Sequence, residues 1–406
     1  MALIYLLLFA SPQLLLYLYL RERLPPSNRR WLTLVFIVFN IPWLIVGVRV
    51  LSGSLWGIGR IPYIAPWIAW QFLGWIFCAL VSIYVLGKGV VGIVRRASSV
   101  VRERLGAPPA ARRPTDDVRL SRRQFLVRAT YAYGAAGLGL SAYGIWSANR
   151  LPVVTRRTLV FPDLPPALHG LRIAHISDVH AGINMPGEQM QELVAQTNAL
   201  GADLIVQTGD MIDISQAFIP DYVRAFRDLH APLGVVTVIG NHDRYTGQDA
   251  VIRGVRDAGQ VFLRNSSHIV EHGGARLALV GIDDPRNWRA DDPQHDDLDQ
   301  ALRLTPPAQD AFRILLAHRP GTFDGAALRA MPLTLGGHIH GGQFYLPVVG
   351  WSPGRLITKY VMGHFTQGSS QLYVSRGIGV VGIPLRVFAP PEIGLFELRR
   401  SDGRTG

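Results

Sequence analysis

Between residues 171 and 335 the chain repeats one pattern: a short, β-branched apolar run that stops at a polar cluster. Residues 171–176 lead into Ser177-Asp178-Val179-His180, residues 204–207 into Thr208-Gly209-Asp210, and residues 235–239 into Gly240-Asn241-His242-Asp243. Runs at 276–282, 312–316 and 333–335 follow, the last two ending at His318 and at Gly336-Gly337-His338-Ile339-His340. Amphipathic stretches of helical length, 187–200 and 219–229, separate the first three runs. Strands alternating with helices specify an α/β fold built on central sheets. Polar residues at the carboxyl ends of such strands are where open α/β sheets hold their ligands. Residues 283–299, rich in Asp and Pro, read as a surface loop over that site.

The strand-end donors, in order, are Asp178 and His180, Asp210, Asn241 and His242, His318, then His338 and His340. Setting His242 aside leaves seven oxygen or nitrogen donors, and Cys78 is the single cysteine, so no thiolate cluster joins them. That number suits two adjacent divalent cations sharing a carboxylate, and the donor types fit Mn, Fe or Zn without choosing among them. Asp-x-His and His-x-His are expected to project both donors to one side of an extended segment, because side chains alternate with period two. Neighbouring glycines let the backbone approach a crowded centre. One Asp-x-His is weak evidence; five such elements in fixed order, each after an apolar run, are strong evidence.

The two halves of the chain differ in charge. Residues 1–150 hold 18 Lys and Arg against four carboxylates, a balance of +14, whereas residues 151–406 hold 23 against 25, a balance of −2. A nucleic-acid footprint would place cations on the domain bearing the site, so no nucleic-acid partner is expected. In the first half, stretches 1–20, 31–51 and 66–94 are almost free of charge, and 129–148 is a weaker Gly/Ala-rich one. Each approaches the about 18–20 residues needed to cross a bilayer. The expectation is therefore an α-helical transmembrane anchor region of about four helices over 1–150, preceding a catalytic domain over 151–406. None of the four stretches has an ionisable residue at mid-span, which favours an anchor over a transport path.

Arg-rich loops at 21–30 and 95–128 belong on the cytoplasmic side by the positive-inside rule, leaving the catalytic domain extracytoplasmic. Ser121-Arg122-Arg123-Gln124-Phe125-Leu126, ahead of the Gly/Ala-rich stretch, is similar to a twin-arginine export signal. It implies the twin-arginine translocase as a partner and a multi-pass protein of a bacterial inner (cytoplasmic) membrane.

Together the motifs resemble the calcineurin-like metallophosphoesterase superfamily over residues 171–398. The ending Gly337-His338-Ile339-His340-Gly341-Gly342-Gln343 and the late Tyr373-Val374-Ser375-Arg376-Gly377 are similar to its membrane-associated, twin-arginine-exported bacterial branch. That branch includes enzymes similar to UDP-2,3-diacylglucosamine pyrophosphatases. The resemblance implies a two-sheet β-sandwich flanked by helices. It implies two divalent metal ions, one held by Asp178, His180 and His340, the other by Asn241, His318 and His338, with Asp210 bridging. A metal-bridging hydroxide would attack phosphorus in line, and His242 would assist the leaving oxygen. Arg376 either binds substrate phosphate or forms a structural ion pair. Asp243 either orients His242 or pairs with Arg244, and His175 either supports a metal ligand or faces the other sheet.

The function expected is a membrane-anchored dimetal phosphoesterase cleaving phosphodiester or pyrophosphate bonds, with lipid-linked phosphate esters among its substrate classes. A UDP-2,3-diacylglucosamine pyrophosphatase is an alternative, although nucleotide-linked precursors are cytoplasmic and the domain is expected outside. A membrane receptor or scaffold with a vestigial site would need a missing ligand, and none is missing.

Overall fold

The computed structural model describes residues 13–22, 24–34, 36–37, 40, 136, 139–284, 296–382 and 384–401. The chain divides into two compact units, Met1–Ala142 and Tyr143–Gly406. The second opens on helical residues 143–149 and continues with β1 (Val153–Phe161), β2 (Arg172–Ile176), α1 (Gly187–Asn198), β3 (Leu204–Thr208), α2 (Ile219–Phe226), β4 (Val235–Val238) and α3 (Asn241–Asp257). Next come β5 (Val261–Phe262), β6 (Ser266–His272), β7 (Ala275–Gly281), α4 (Asp296–Arg303), β8 (Phe312–Leu316) and α5 (Thr322–Leu328). The last strands are β9 (Leu333–Gly336), β10 (Gly363–Gln367), β11 (Ser370–Val374) and β12 (Glu392–Arg400).

Two six-stranded sheets form, ordered β1-β12-β2-β3-β4-β5 and β10-β11-β9-β8-β7-β6. Strands β2 to β5 run parallel, as do β7, β8, β9 and β11, while β12 meets β2 antiparallel, and β6 and β10 are antiparallel edges. The apolar runs are continuous because these strands are buried on both faces. Leu204 and Val206 of β3, Leu277 and Leu279 of β7, and Ile314 and Leu316 of β8 point between the sheets. Their alternates point outward: Ile205 packs with Met190, Leu193 and Phe226 of α1 and α2, and Val280 and Leu315 pack with Leu298 of α4 and Ala326 of α5. The result is four layers, helix–sheet–sheet–helix. Each fully buried Leu or Phe contributes about 1.5–3 kcal/mol by leaving water.

This packing gathers the carboxyl ends of β2, β3 and β4 from one sheet and of β8 and β9 from the other along one rim. Backbone bonds stitch the loops there: Asp178 N–H donates to the Gly209 carbonyl (3.0 Å), His180 N–H to that of Asp210 (2.9 Å), and Gly337 N–H to that of His318 (2.9 Å).

The expected transmembrane region is corrected. Among the described residues no helix is long and apolar enough to cross a membrane. Helix is described within 1–150 at residues 13–22, 26–34, 36–37, 40, 136 and 139–149. The first two stretches carry Arg21, Glu22, Arg29 and Arg30. Stretch 66–94, most of 1–20 and 31–51, part of 129–148, loop 95–128 and the Arg122-Arg123 motif lie outside the described residues. The loop expected at 283–299 differs at both ends. Asp283 and Asp284 are buried, paired with Arg244, Arg264 and Arg319, and residues 296–299 belong to α4; residues 285–295 lie outside the described residues.

Candidate metal centre

The donors leave their strands on strained backbone. Asp178 (φ 56°), His180 (50°), Asp210 (54°), His338 (73°) and His340 (54°) all occupy the left-handed region, five of the eight candidate residues. That region is uncommon for residues with a side chain and costs about 1–3 kcal/mol each, a burden that clusters at functional sites. The expectation of extended Asp-x-His and His-x-His segments is thereby corrected: left-handed turns, not strand alternation, turn these side chains toward one another. Two glycines make room. A Cβ on Gly240 would lie 2.2 Å from Asp210 Oδ1, and one on Gly337 would lie 2.0 Å from Ser177 Oγ and 2.2 Å from Asp178 Oδ2.

Three overlapping groups of donor atoms result, each within 4.8 Å: Asp178, His180 and His340; Asp210, His318 and His338; and His180, Asp210 and His242. In the first, His340 Nε2 lies 3.1 Å from His180 Nε2 and 3.3 Å from Asp178 Oδ1. In the second, His318 Nε2 lies 3.1 Å from Asp210 Oδ2, 3.2 Å from His338 Nδ1 and 3.2 Å from Asn241 Oδ1. Asp210 Oδ2 is also 3.6 Å from His180 Nε2, so one carboxylate reaches both groups.

The donors fit divalent cations. His318 Nδ1 lies 2.7 Å from the Thr208 carbonyl, which accepts only, so Nδ1 carries a proton, and a bound cation in place of a second proton would meet the lone pair of Nε2, which faces three other donors. One ring N–H on Nε2 would not serve all three. Donor separations near 3 Å are also those of ligands that each sit about 2.0–2.2 Å from a shared ion.

Electrostatics point the same way. Burial raises the Asp178 and Asp210 carboxyls, yet the adjoining His340 and His318 hold both well below the usual range. Burial opposes charge on His318, and Asp210 beside it overrides this, taking it up to about 10. His338 falls to about 3 and His340 to about 4, chiefly through burial. Two buried carboxylates thus hold a proton on His318 beside neutral His338 and His340, where cations would supply far more compensating charge.

His242 differs from the other histidines. It opens α3, its N–H donates to Asp210 Oδ1 (2.8 Å), and its Nδ1 lies 3.2 Å from Asp213 Oδ1. Burial lowers its pKa, but Asp213 and Asp210 raise it overall. Asp213, three residues after Asp210, escaped the sequence reading; the spacing Asp210-Met211-Ile212-Asp213 was its signal.

Asp243 takes neither expected role. Its Oδ1 accepts from Ile212 N–H (2.9 Å) and its Oδ2 from Gly240 N–H (2.9 Å), closing the start of α3, while Arg244 pairs with Asp283. Arg376 is ion-paired with buried Glu392 (2.8 Å), which also accepts from the Tyr373 hydroxyl. His175 meets Tyr373 of the facing sheet edge-on (6.5 Å between ring centres), and burial takes it down to about 3. Arg386 gave no signal in the sequence. It is fully buried, donates to the carbonyls of Arg376, Gly377, Gly379 and Ala389, and sets Nη2 3.1 Å from His340 Nδ1.

The sequence profile of the calcineurin-like phosphoesterases matches residues 171–342, from β2 through the His338-x-His340 loop. The chain is 30% identical over 299 residues to the metallophosphoesterase YkuE of Bacillus subtilis, covering 70% of this chain and 99% of that one. It is 29% identical to a transmembrane protein with metallophosphoesterase domain of Danio rerio, over 64% of this chain and 61% of the relative. A metallophosphoesterase of Campylobacter jejuni, Cj0846, is 30% identical over 58% of this chain, again with 61% of the relative spanned. The chain therefore spans about three fifths of the latter two. A solved archaeal phosphodiesterase aligns over 55% of this chain and 92% of its own, at 11% identity and a TM-score of 0.31. With a near full-length match to YkuE and the family profile over residues 171–342, the chain belongs to the calcineurin-like metallophosphoesterases, metal-dependent hydrolases of phosphoric esters.

Proposed function

We propose that the protein hydrolyses phosphodiester or pyrophosphate bonds with two divalent cations. The observation that carries this reading is the reach of Asp210 Oδ2, 3.1 Å from His318 Nε2 and 3.6 Å from His180 Nε2. Asp178, His180 and His340 would hold one cation and Asn241, His318 and His338 the other, with Asp210 serving both. Such a pair lowers the pKa of water and neutralises phosphate oxygens.

The chain's own residues complete the chemistry. His242 keeps its Nδ1 proton on Asp213 and delivers one from Nε2 to the oxygen that leaves phosphorus. Its Nδ1 faces Asp213, so Nε2 is the nitrogen left for substrate. Asp213 keeps that ring oriented. The −2 balance of residues 151–406 supports small or lipid-borne phosphate esters over nucleic acid.

The test is hydrolysis of bis-(p-nitrophenyl) phosphate and p-nitrophenyl phosphate by the purified full chain, before and after chelation, with Mn, Fe or Zn restored and metal content measured. Two ions per chain, loss of diester hydrolysis on chelation and its return are expected. Diester hydrolysis that survives removal of the metal, or a single ion at full activity, would overturn the reading.

A further inference from the structure

The sequence from Gly325 to Pro391 contains no Asp or Glu. Within it, directly after the His338-x-His340 loop, the chain forms a hairpin whose tip exposes apolar side chains. Val348 is 98% exposed and Val349 68%, with Leu346 and Trp351 beside them; the following turn exposes Leu356 (82%) and Ile357 (66%). This tip is ordered. Leu346 N–H donates to the Trp351 carbonyl (2.8 Å), Trp351 N–H to that of Leu346 (3.3 Å), and Gly350 takes the left-handed position of the turn (φ 59°). Its base is fixed too, by Tyr345 N–H on the Val387 carbonyl (2.9 Å) and by the Ser352 hydroxyl on the carbonyl of Gly341, next to His340.

The apolar surface continues from that base. Phe388, next to Val387, is exposed, and its ring lies 5.4 Å from that of Tyr143, which in turn lies 5.9 Å from the exposed Trp146. Arg150 stacks over Trp146 (5.2 Å), and Arg355 and Lys359 stand exposed on the turn beyond the hairpin. A turn with valines at its apex, tryptophans behind them and cations at the margins, the one neighbouring carboxylate on the turn beyond, Asp324, being held by Lys359 (3.1 Å), has the composition of a surface that enters the headgroup region of a bilayer. Patches of this kind are uncommon on surfaces that meet only water.

We infer that the 344–357 hairpin, with Trp146 and Phe388, docks onto a phospholipid bilayer bearing anionic headgroups. Val348 and Val349 enter the acyl boundary, and Arg150 and Arg355 meet lipid phosphates. Docking of this kind needs no membrane-spanning helix. A second copy on the same face would set these cations against one another, at a cost in like-charge repulsion. The bond from Ser352 to Gly341 ties the docked hairpin to the loop carrying His340. On the hydrolase reading above, phosphate esters presented at the lipid surface then meet the centre directly.

The test is hydrogen–deuterium exchange of the full chain with vesicles of phosphatidylglycerol and phosphatidylcholine, or of phosphatidylcholine alone. Exchange over residues 345–351 is expected to slow with the anionic vesicles more than with the neutral ones. Val348→Asp with Val349→Asp should abolish that protection and cut turnover of a vesicle-borne phosphodiester about tenfold or more, given the transfer energy of two valines. Its thermal midpoint and its turnover of a soluble diester should not change. Absence of soluble-diester turnover in the unsubstituted chain would count against the hydrolase reading alone, since exchange reads the docking independently. Exchange over 345–351 that ignores both vesicle types would overturn the docking, as would protection that rises with protein concentration without lipid.

Discussion

Asp213 Oδ1 lies 3.2 Å from His242 Nδ1, with His180 Nδ1 3.5 Å away on its other side. One carboxylate thus abuts a proposed ligand and the proposed proton donor, and neutralising it separates their roles. Asp213→Asn keeps the shape but removes the charge that holds the His242 proton. Metal content should stay near two per chain while turnover falls about 10–100-fold, below the 10²–10⁴-fold expected for His242→Ala. In both variants a poor alkyl leaving group should lose more than an activated aryl one. Equal losses for the two leaving groups would remove His242 from proton transfer, and loss of a metal in His242→Ala would make it a ligand.

Asp210 is the shared element of the centre, contacting donors of both groups and accepting from His242 N–H as well. Asp210→Asn should therefore lower metal occupancy and turnover together, by more than the corresponding change at any single-site ligand. Metal analysis beside steady-state kinetics checks this. Full occupancy with normal turnover would refute a bridging carboxylate.

The parts of the fold legible in the sequence were those buried on both faces. Residues 312–316 coincide with β8, and 204–207, 235–239 and 276–282 fall within about a residue of β3, β4 and β7, because continuous apolar runs mark such strands. Edge strands were not legible: β10, with His364, Thr366 and Gln367, is mostly polar and partly exposed, so it carries no such run. Helix α3 was hidden because its first turn is the Asn241-His242-Asp243 cluster and Gly247 (φ 122°) interrupts it. Donor identities could be read from residue type and order, yet the left-handed backbone that aims them could not, since Asp and His at positive φ leave no mark in composition. Uncharged stretches before residue 150 suggested spans, but among the described residues no helix is long and apolar enough to cross a membrane.

Close packing beneath the centre gives a prediction that does not depend on reactivity. Gly337 follows Gly336 at the carboxyl end of β9, its N–H on the His318 carbonyl, where any Cβ would collide with Ser177 Oγ and Asp178 Oδ2. Asp178 is fixed there because His338 N–H donates to both of its carboxylate oxygens (3.0 and 3.1 Å). Gly337→Ala should displace Asp178 and cost about 1–3 kcal/mol of stability, the usual range for overpacking a filled site. Gly274→Ala, at a turn where a Cβ meets nothing within 4 Å, is the contrast: its cost should come from its positive φ (83°) alone, with metal content intact. Urea denaturation with metal analysis of both variants separates the outcomes, and a Gly337→Ala protein with both ions bound would contradict the packing argument.

Arg386 is the least expected component, a fully buried cation with no carboxylate bonded to it. Burial lowers its pKa to about 9, so it remains charged at neutral pH, satisfied by four backbone carbonyls between Arg376 and Ala389. Those carbonyls belong to the loop that follows β11 and carries Arg376 and Gly377, and a Cβ on Gly377 would lie 2.8 Å from Asp178 Cβ. Arg386→Met keeps much of the volume and removes every donor, leaving buried carbonyls unpaired at about 1–3 kcal/mol each where no water replaces the bond. Total destabilisation of about 3–5 kcal/mol is expected, with one ion lost from the Asp178–His180–His340 group before the other. Arg386→Lys should not restore it, because an ammonium lacks the planar fork that reaches several carbonyls at once. Chemical denaturation and metal stoichiometry check both variants: unchanged stability in Arg386→Met, or full recovery in Arg386→Lys, would reduce Arg386 to a space-filling side chain.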